Sequence, residues 1–495
     1  MSQAPLSVRR SGILLHPSSL PGRWACGNLG DEAFRFVEFL AAAGQSLWQM
    51  LPLGVPHDDG SPYQCLSVFA GNPALISPES LRDWGWLTVD DYRQAGKQVP
   101  DLLLQTALLE QAHAGFRARA SDADHAALAA FIEQQSFWLH DYALYQALHQ
   151  HYQHQSWTQW PQPLRDRQPQ ALAEAREQYA GQIAEVFFEQ FVFFRQWQAL
   201  KDYANRKGVL MFGDMPIFIA HDSADVWCAR EYFDLDNTGL PRTVTGVPPD
   251  YFSETGQHWG NPHYRWDIMT ADDFVWWKQR VAMQLHLFDV VRIDHFRGFE
   301  ASWEIPADHE TAINGRWISV PGEQMFDSLL EYFGTLPLVA EDLGIITPAV
   351  EGLRDRYQFP GMKILQFAFG GDNSNPYLPH HHVPNCVVYT GTHDNDTTLG
   401  WWQTLDENTR VHVYEYLGID TDDDMPWPMI RAAMESVANT AIFPLQDVLG
   451  LDGTHRMNVP GTAKGNWRWR FDWPSVPLDL AGQLRHLTGL YQRLP

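Results

Sequence analysis

Four cysteines in 495 residues leave little room for a disulfide frame. Cys26, Cys65, Cys228 and Cys386 stand singly, with no C-x-x-C pair of the kind that holds zinc or cycles thiols. The pattern is that of reduced, buried thiols in a cytoplasmic protein. Positive charge is also scarce: 35 Lys and Arg against 60 Asp and Glu give a formal net charge of -25. Nucleic-acid and anionic membrane surfaces depend on clustered Lys and Arg, so neither is an expected partner, and the acidity reads first as solubility. Long apolar runs are missing too. The N-terminal "MSQAPLSVRRSGILLHPSS" holds an apolar segment too short for a signal peptide, and nothing later approaches a membrane span of roughly 20 residues. No internal period of roughly 20–50 residues is present, which argues against a solenoid or propeller. A soluble cytoplasmic chain with no obligate protein partner is the expectation.

What the chain does have is apolar and aromatic mass: 45% hydrophobic residues, with 21 Trp, 17 Tyr and 27 Phe. That supports a large core, and aromatic faces also stack on sugar rings. Eight short apolar segments recur, most ending in polar, Gly or Pro residues. They are "GILLHPSS" (12–19), "LWQMLPLG" (47–54), "VLMFGDMPIF" (209–218), "DVVRIDHF" (289–296), "PLVAEDLG" (337–344), "KILQFAF" (363–369), "NCVVYTGTHDN" (385–395) and "TAIFPLQDVLG" (440–450). Amphipathic, helix-like stretches such as "DEAFRFVEFLAAAG" lie between most neighbours. Eight strand–helix units predict a (β/α)8 TIM barrel with large insertions at the C-terminal face. Strands one and two fall within 1–55, followed by a largely helical insertion over 56–207 and strand three at 208–220. An aromatic, loop-like insertion and return helix span 221–287, and strands four to eight with a C-terminal segment occupy 288–495.

In such a barrel the C-terminal strand ends build one cavity. Asp294 after "VVRI", Glu341 after "PLVA" and Asp394 in "YTGTHDN" would all point into it. Two carboxylates are the minimum for glycoside chemistry: one attacks the anomeric carbon or activates water, and the other protonates the departing oxygen. Arg292, two residues before Asp294, shares its strand face and would orient it. Glu341 needs a raised pKa to act as an acid, which a neighbouring anionic Asp294 would promote. Asp214 ends the third strand as a fourth candidate, and His393 beside Asp394 could bond sugar hydroxyls. Metal chemistry is not expected: the first strand supplies His16 without an H-x-H partner, and His380-His381-His382 cannot converge on one ion and reads as a solvated loop.

The motifs "RIDHFRGF", "VAEDLG", "YTGTHDNDTTLGWW", "GDMPIFIAHDSADVW" and "SPYQCLSVFAGNP" occur in order. Together they resemble the amylomaltase family of 4-α-glucanotransferases, in the α-amylase clan of retaining enzymes. The likeness runs from "GILLHPSSLPG" to "RMNVPGTAKGNWRWR". It implies that Asp294 is the nucleophile, Glu341 the acid/base and Asp394 a transition-state stabiliser. Arg292, His393 and Asp214 would complete the donor subsite, with Tyr63 stacking or bonding nearby. Tyr251 and Phe252 match an aromatic flap, with Trp259 close by. Phe367 and the Asp372 region would face the acceptor, and Asn458 would contact substrate. The implied substrates are maltooligosaccharides and α-1,4-glucans, with no cofactor and no metal. The rivals are a hydrolytic amylase-type enzyme on the same barrel and a non-catalytic glucan-binding protein.

Overall fold

The computed structural model describes residues 6–98, 101–249, 253–420, 425–462 and 464–495. The described strands, in chain order, are β1 (Arg10–Leu14), β2 (Leu47–Gln49), β3 (Leu210–Met215), β4 (Thr243–Val247), β5 (Gln257–Pro262), β6 (Val290–Ile293), β7 (Ala301–Pro306), β8 (Arg316–Ser319), β9 (Leu338–Ala340), β10 (Gly361–Ile364), β11 (Cys386–Tyr389) and β12 (Thr440–Pro444).

Eight of these form one parallel sheet in the order β10-β11-β12-β1-β2-β3-β6-β9. The remaining gap is bridged where the Ala340 N–H donates to the Pro360 carbonyl at 2.9 Å, so the sheet curls into a nearly closed barrel. All eight apolar segments supply its strands. They are apolar on both faces, as strands sandwiched between a barrel interior and a ring of helices must be. The strand period of two sorts the residues. Leu14, Leu47, Phe212, Val290, Val339, Met362, Val387, Tyr389 and Ile442 pack together inside the barrel. Met211, Val291, Ile293, Leu338, Ala340 and Val388 join the larger core outside. Gly213, between Phe212 and Asp214, faces outward under the Phe288 ring, where a Cβ would approach within 2.2 Å.

The inner rows climb toward the mouth: Phe212 to Asp214, Val290 through Arg292 to Asp294, Val339 to Glu341. Each of these rows starts apolar and ends charged at the mouth, where Asp294 is partly exposed and Asp214 is buried against Arg292.

The chain between β2 and β3, strands paired in register from Leu47↔Leu210 to Gln49↔Phe212, makes a helical layer. Its longest helix, Ala180–Arg206, is splinted to the segment after β2 by two buried amides. Gln190 takes the Gly71 N–H at 2.8 Å and donates to the Gly71 carbonyl at 2.9 Å. Gln196 does the same for Ser77, at 2.8 and 3.0 Å.

The second long spacing differs from the loop-like reading. Residues 243–247 and 257–262 are β4 and β5, which join β7 and β8 in an antiparallel sheet ordered β5-β4-β7-β8. Its small core is Val244, Ile305 and Ala312. Gly and Pro within "QHWGNP" hide the strand pattern of β5, and the second partner of β4 comes from a hairpin more than fifty residues away. The histidine run also needs correction. His382 is buried, pairing with Ser436 Oγ at 2.7 Å and the Tyr377 carbonyl at 2.9 Å; only His380 and His381 are exposed.

Candidate active site

Adjacent strands β3, β6 and β9 assemble the centre of the mouth. Asp214 and Arg292 are register partners across β3 and β6. Arg292 Nη1 donates to both Asp214 oxygens, at 2.9 and 2.7 Å, and Nη2 donates to Asp294 Oδ1 at 2.8 Å. Asp214 and Arg292 are almost fully buried, whereas the Asp294 side chain keeps 31% of its exposure. Burial alone would lower the Arg292 pKa, but Asp214 and Asp294 outweigh it and hold the guanidinium well above its usual range. Burial, with the Asp294 charge adding to it, holds the Asp214 carboxyl above its usual range against the pull of Arg292. Every neighbour of Asp214, including the Tyr63 hydroxyl at 2.8 Å, arrives as a donor, and the ionised form fits that set.

Glu341 lies one residue beyond β9. The His295 backbone N–H donates to its Oε2 at 2.7 Å and the Leu343 N–H to its Oε1 at 2.9 Å. Burial is the largest influence on its carboxyl, Arg292 opposes it and Asp294 reinforces it; the outcome is a pKa raised to about 7. The expected direction holds, with desolvation ahead of the like charge.

Asp394 projects from the turn after β11. Its Oδ1 accepts from Asn458 Nδ2 at 2.7 Å, its Oδ2 lies 3.3 Å from His393 Nε2, and its carbonyl accepts from Arg456 Nη2 at 3.0 Å. Tyr63 joins the two halves of the site: its hydroxyl also meets His393 Nε2 at 2.9 Å, and its ring stacks on the imidazole at 5.3 Å between centroids. Asp214, Arg292, Asp294, Tyr63, His393, Asp394 and Asn458 thus form one continuous chain of polar contacts, with Glu341 joined to it through the backbone of His295.

The aromatic candidates sit further out. The Trp259 ring meets the His295 ring edge-to-face at 4.8 Å, beside Asp294 but not in the polar chain. Phe367 is 39% exposed and touches Tyr377; Asp372 is exposed and caps its own turn through Ser374. Neither contacts the carboxylates. Tyr251 and Phe252 lie outside the described residues.

Sequence reasoning missed three supports. His295 adopts a left-handed backbone, φ 51°, and burial lowers its imidazole to about 4, leaving it neutral while its N–H holds Glu341. Arg456 ties Asp394 to Asp396. Asp447 follows the eighth strand, and the strand-end rule that finds Asp294 points to it equally well.

The chain matches the family model described as 4-alpha-glucanotransferase over residues 15–475. It is 48% identical to the 4-alpha-glucanotransferase of Thermus thermophilus, covering 98% of this chain and 99% of that one. It is 47% identical to the 4-alpha-glucanotransferase of Synechocystis, covering 99% of each. The solved amylomaltase from Streptococcus agalactiae in complex with acarbose superimposes with a TM-score of 0.94 at 35% identity, over 98% of this chain and 100% of that one. With these matches spanning nearly all of its length, the protein belongs to the 4-alpha-glucanotransferase family and is an enzyme of that activity.

Proposed function

We propose that the enzyme works by a retaining double displacement at Asp294 and Glu341, on maltooligosaccharides and other α-1,4-glucans, in the cytoplasm. The protonated Glu341 gives its proton to the glycosidic oxygen as the bond from that oxygen to C1 breaks. The Asp294 carboxylate bonds to C1 from the opposite face, giving a glycosyl ester and a released glucan with a new 4-hydroxyl. The 4-hydroxyl of an incoming glucan or glucose then passes its proton to the Glu341 carboxylate. Its oxygen bonds to C1 as the ester breaks, and both side chains return to their starting states.

Asp394, held by Asn458 and flanked by His393, would grip hydroxyls of the sugar at the reacting centre. Asp214 and Arg292 keep Asp294 aimed. Trp259 would shield the ester from water, so that a glucan hydroxyl competes against solvent at ~55 M. The acarbose held by the Streptococcus agalactiae relative supports an oligosaccharide as occupant. No cofactor is required, because acid, nucleophile and oriented hydroxyl contacts suffice.

One observation carries the mechanism: a carboxyl raised to about 7 sits on the strand next to a half-exposed carboxylate fixed by a buried guanidinium. That is the paired acid and nucleophile this chemistry needs. The test is incubation with pure maltotriose, following total reducing ends and chain lengths together. Glucose plus longer oligosaccharides at constant reducing ends is the expected result. Rising reducing ends with only shorter products would mean hydrolysis, and no change would mean a binding protein.

A further inference from the structure

The turn that carries His393 and Asp394 runs from Thr390 to Thr398, between β11 and the helix Thr398–Thr404. Both of its ends converge on one side chain. Asp447, in the short helix after β12, is 0% exposed. Its Oδ2 accepts the Thr390 hydroxyl at 2.5 Å and the Thr398 hydroxyl at 2.7 Å, and its Oδ1 accepts the Thr398 N–H at 2.6 Å. Among the described residues no Lys, Arg or His pairs with it. A buried carboxylate without a counter-charge is costly unless its hydrogen bonds are complete. The backbone N–H can only donate, so an amide would have to keep its oxygen there and turn its NH2 toward the two hydroxyls, reversing both of those bonds.

From the other side the turn meets Gln366, which follows β10. Its N–H donates to the Thr390 carbonyl at 3.2 Å, and its side-chain Nε2 donates to the Asp396 carbonyl at 2.9 Å. The turn is therefore closed at its stems by strands six and eight of the barrel, and His393 and Asp394 occupy its middle. Asp394 is tied at the rim by Asn458 and Arg456 and within the turn by its N–H to Thr392 Oγ1 at 3.3 Å.

We propose that Asp447 is a positioning residue. By stapling Thr390 to Thr398 it sets where Asp394 and His393 stand relative to Asp294 and Glu341, and so acts on the reaction through Asp394. The inference rests on the reading of Asp394 as a contact to the reacting sugar. A carboxylate displaced by even about 1 Å from its productive position can cost about 100-fold in rate.

The test is a double-mutant cycle of Asp447→Asn with Asp394→Asn, measured on maltotriosyl fluoride so that weak activities stay readable, alongside thermal unfolding of each variant. Asp447→Asn should lower kcat by about 30- to 100-fold with KM changed less than about 3-fold. In the Asp394→Asn background it should add less than about a 3-fold further loss, because its effect has already been removed. Should Asp447→Asn fail to fold, Thr390→Val, which deletes one of the three bonds, should show about a 5-fold loss with the same non-additivity. Full additivity, or an unchanged kcat, would overturn the staple while leaving Asp394 in its role. An unchanged kcat in Asp394→Asn alone would overturn the reading of Asp394 and the inference with it.

Discussion

Arg292 and Asp214 face each other across neighbouring strands, and one guanidinium nitrogen serves both Asp214 oxygens while the other reaches Asp294. The planar fork is what makes this arrangement possible; an ammonium is a point charge and cannot bracket two carboxylates in fixed directions. Arg292→Lys should therefore keep the fold and lower kcat by about 100-fold. Arg292→Leu should instead unfold more easily by about 3–5 kcal/mol, since it strands Asp214 buried and unpaired. Steady-state rates and urea unfolding separate the two effects; a near-native kcat in Arg292→Lys would remove the aiming role.

Asp294→Asn should abolish transfer, leaving less than about 1/1000 of the rate. Glu341→Gln should lose about 100- to 10,000-fold on maltotriose. On maltotriosyl fluoride, whose leaving group needs no proton, Glu341→Gln should still accumulate an ester on Asp294, visible by mass spectrometry of the intact protein. Adduct on another residue, or none, would count against the assignment.

The Glu341 carboxyl, raised from 4.5 to about 7, gives the pH profile a direction. The first displacement needs its protonated form, so kcat/KM on maltotriose should fall as pH rises through about 7. The same shift bears on stability. Between about 4.5 and 7 the folded protein holds a proton that the unfolded chain has released, so the contribution of this group to stability falls as pH rises across that window. Glu341→Gln should flatten both dependences. A wild-type alkaline limb that persists unmoved in Glu341→Gln on the fluoride donor would assign the limb to another group.

Trp259 packs its ring against that of His295, the residue after Asp294, at 4.8 Å. Trp259→Ala should admit water, raising the share of hydrolysis about 10-fold over transfer, with thermal stability little changed. Counting reducing ends against chain lengths on maltotriose reads this directly. An unchanged ratio would place water exclusion elsewhere.

Gln190 is fully buried with both amide atoms on the Gly71 backbone. Gln190→Leu leaves that N–H and carbonyl unsatisfied and should destabilise the fold by about 1–3 kcal/mol, with kcat at the optimum temperature unaffected. Denaturant unfolding with parallel kinetics would show the split.

The barrel and the central charged row were legible because both follow from one periodicity. The alternation that buries Val290 and Val291 on opposite faces also sends Arg292 and Asp294 inward, and chain order alone places Glu341 beside them. The second sheet was not legible: β5 carries Gly and Pro that hide its pairing with β4, and the other partner of β4, β7, lies beyond a barrel strand. His295 was equally hidden. Its contribution is a backbone N–H delivered by a left-handed residue, which side-chain chemistry does not foretell. Asp447 lay within reach of the strand-end rule, but its partners, two threonine hydroxyls and a backbone N–H, carry no local pattern that marks it out.

The pairing of Leu47 with Leu210 spans about 160 residues, against about 30 in an ordinary strand–helix–strand unit. Because closure entropy grows only logarithmically, that detour costs roughly 1.5 kcal/mol at equilibrium. The burden is one of timing. During synthesis β2 emerges long before the strand it must pair with, and its edge stands open until the helices over 78–206 have folded on their own local contacts and drawn the two together. Growth temperature and chaperone supply during expression should therefore govern the yield of this protein more strongly than its final stability does.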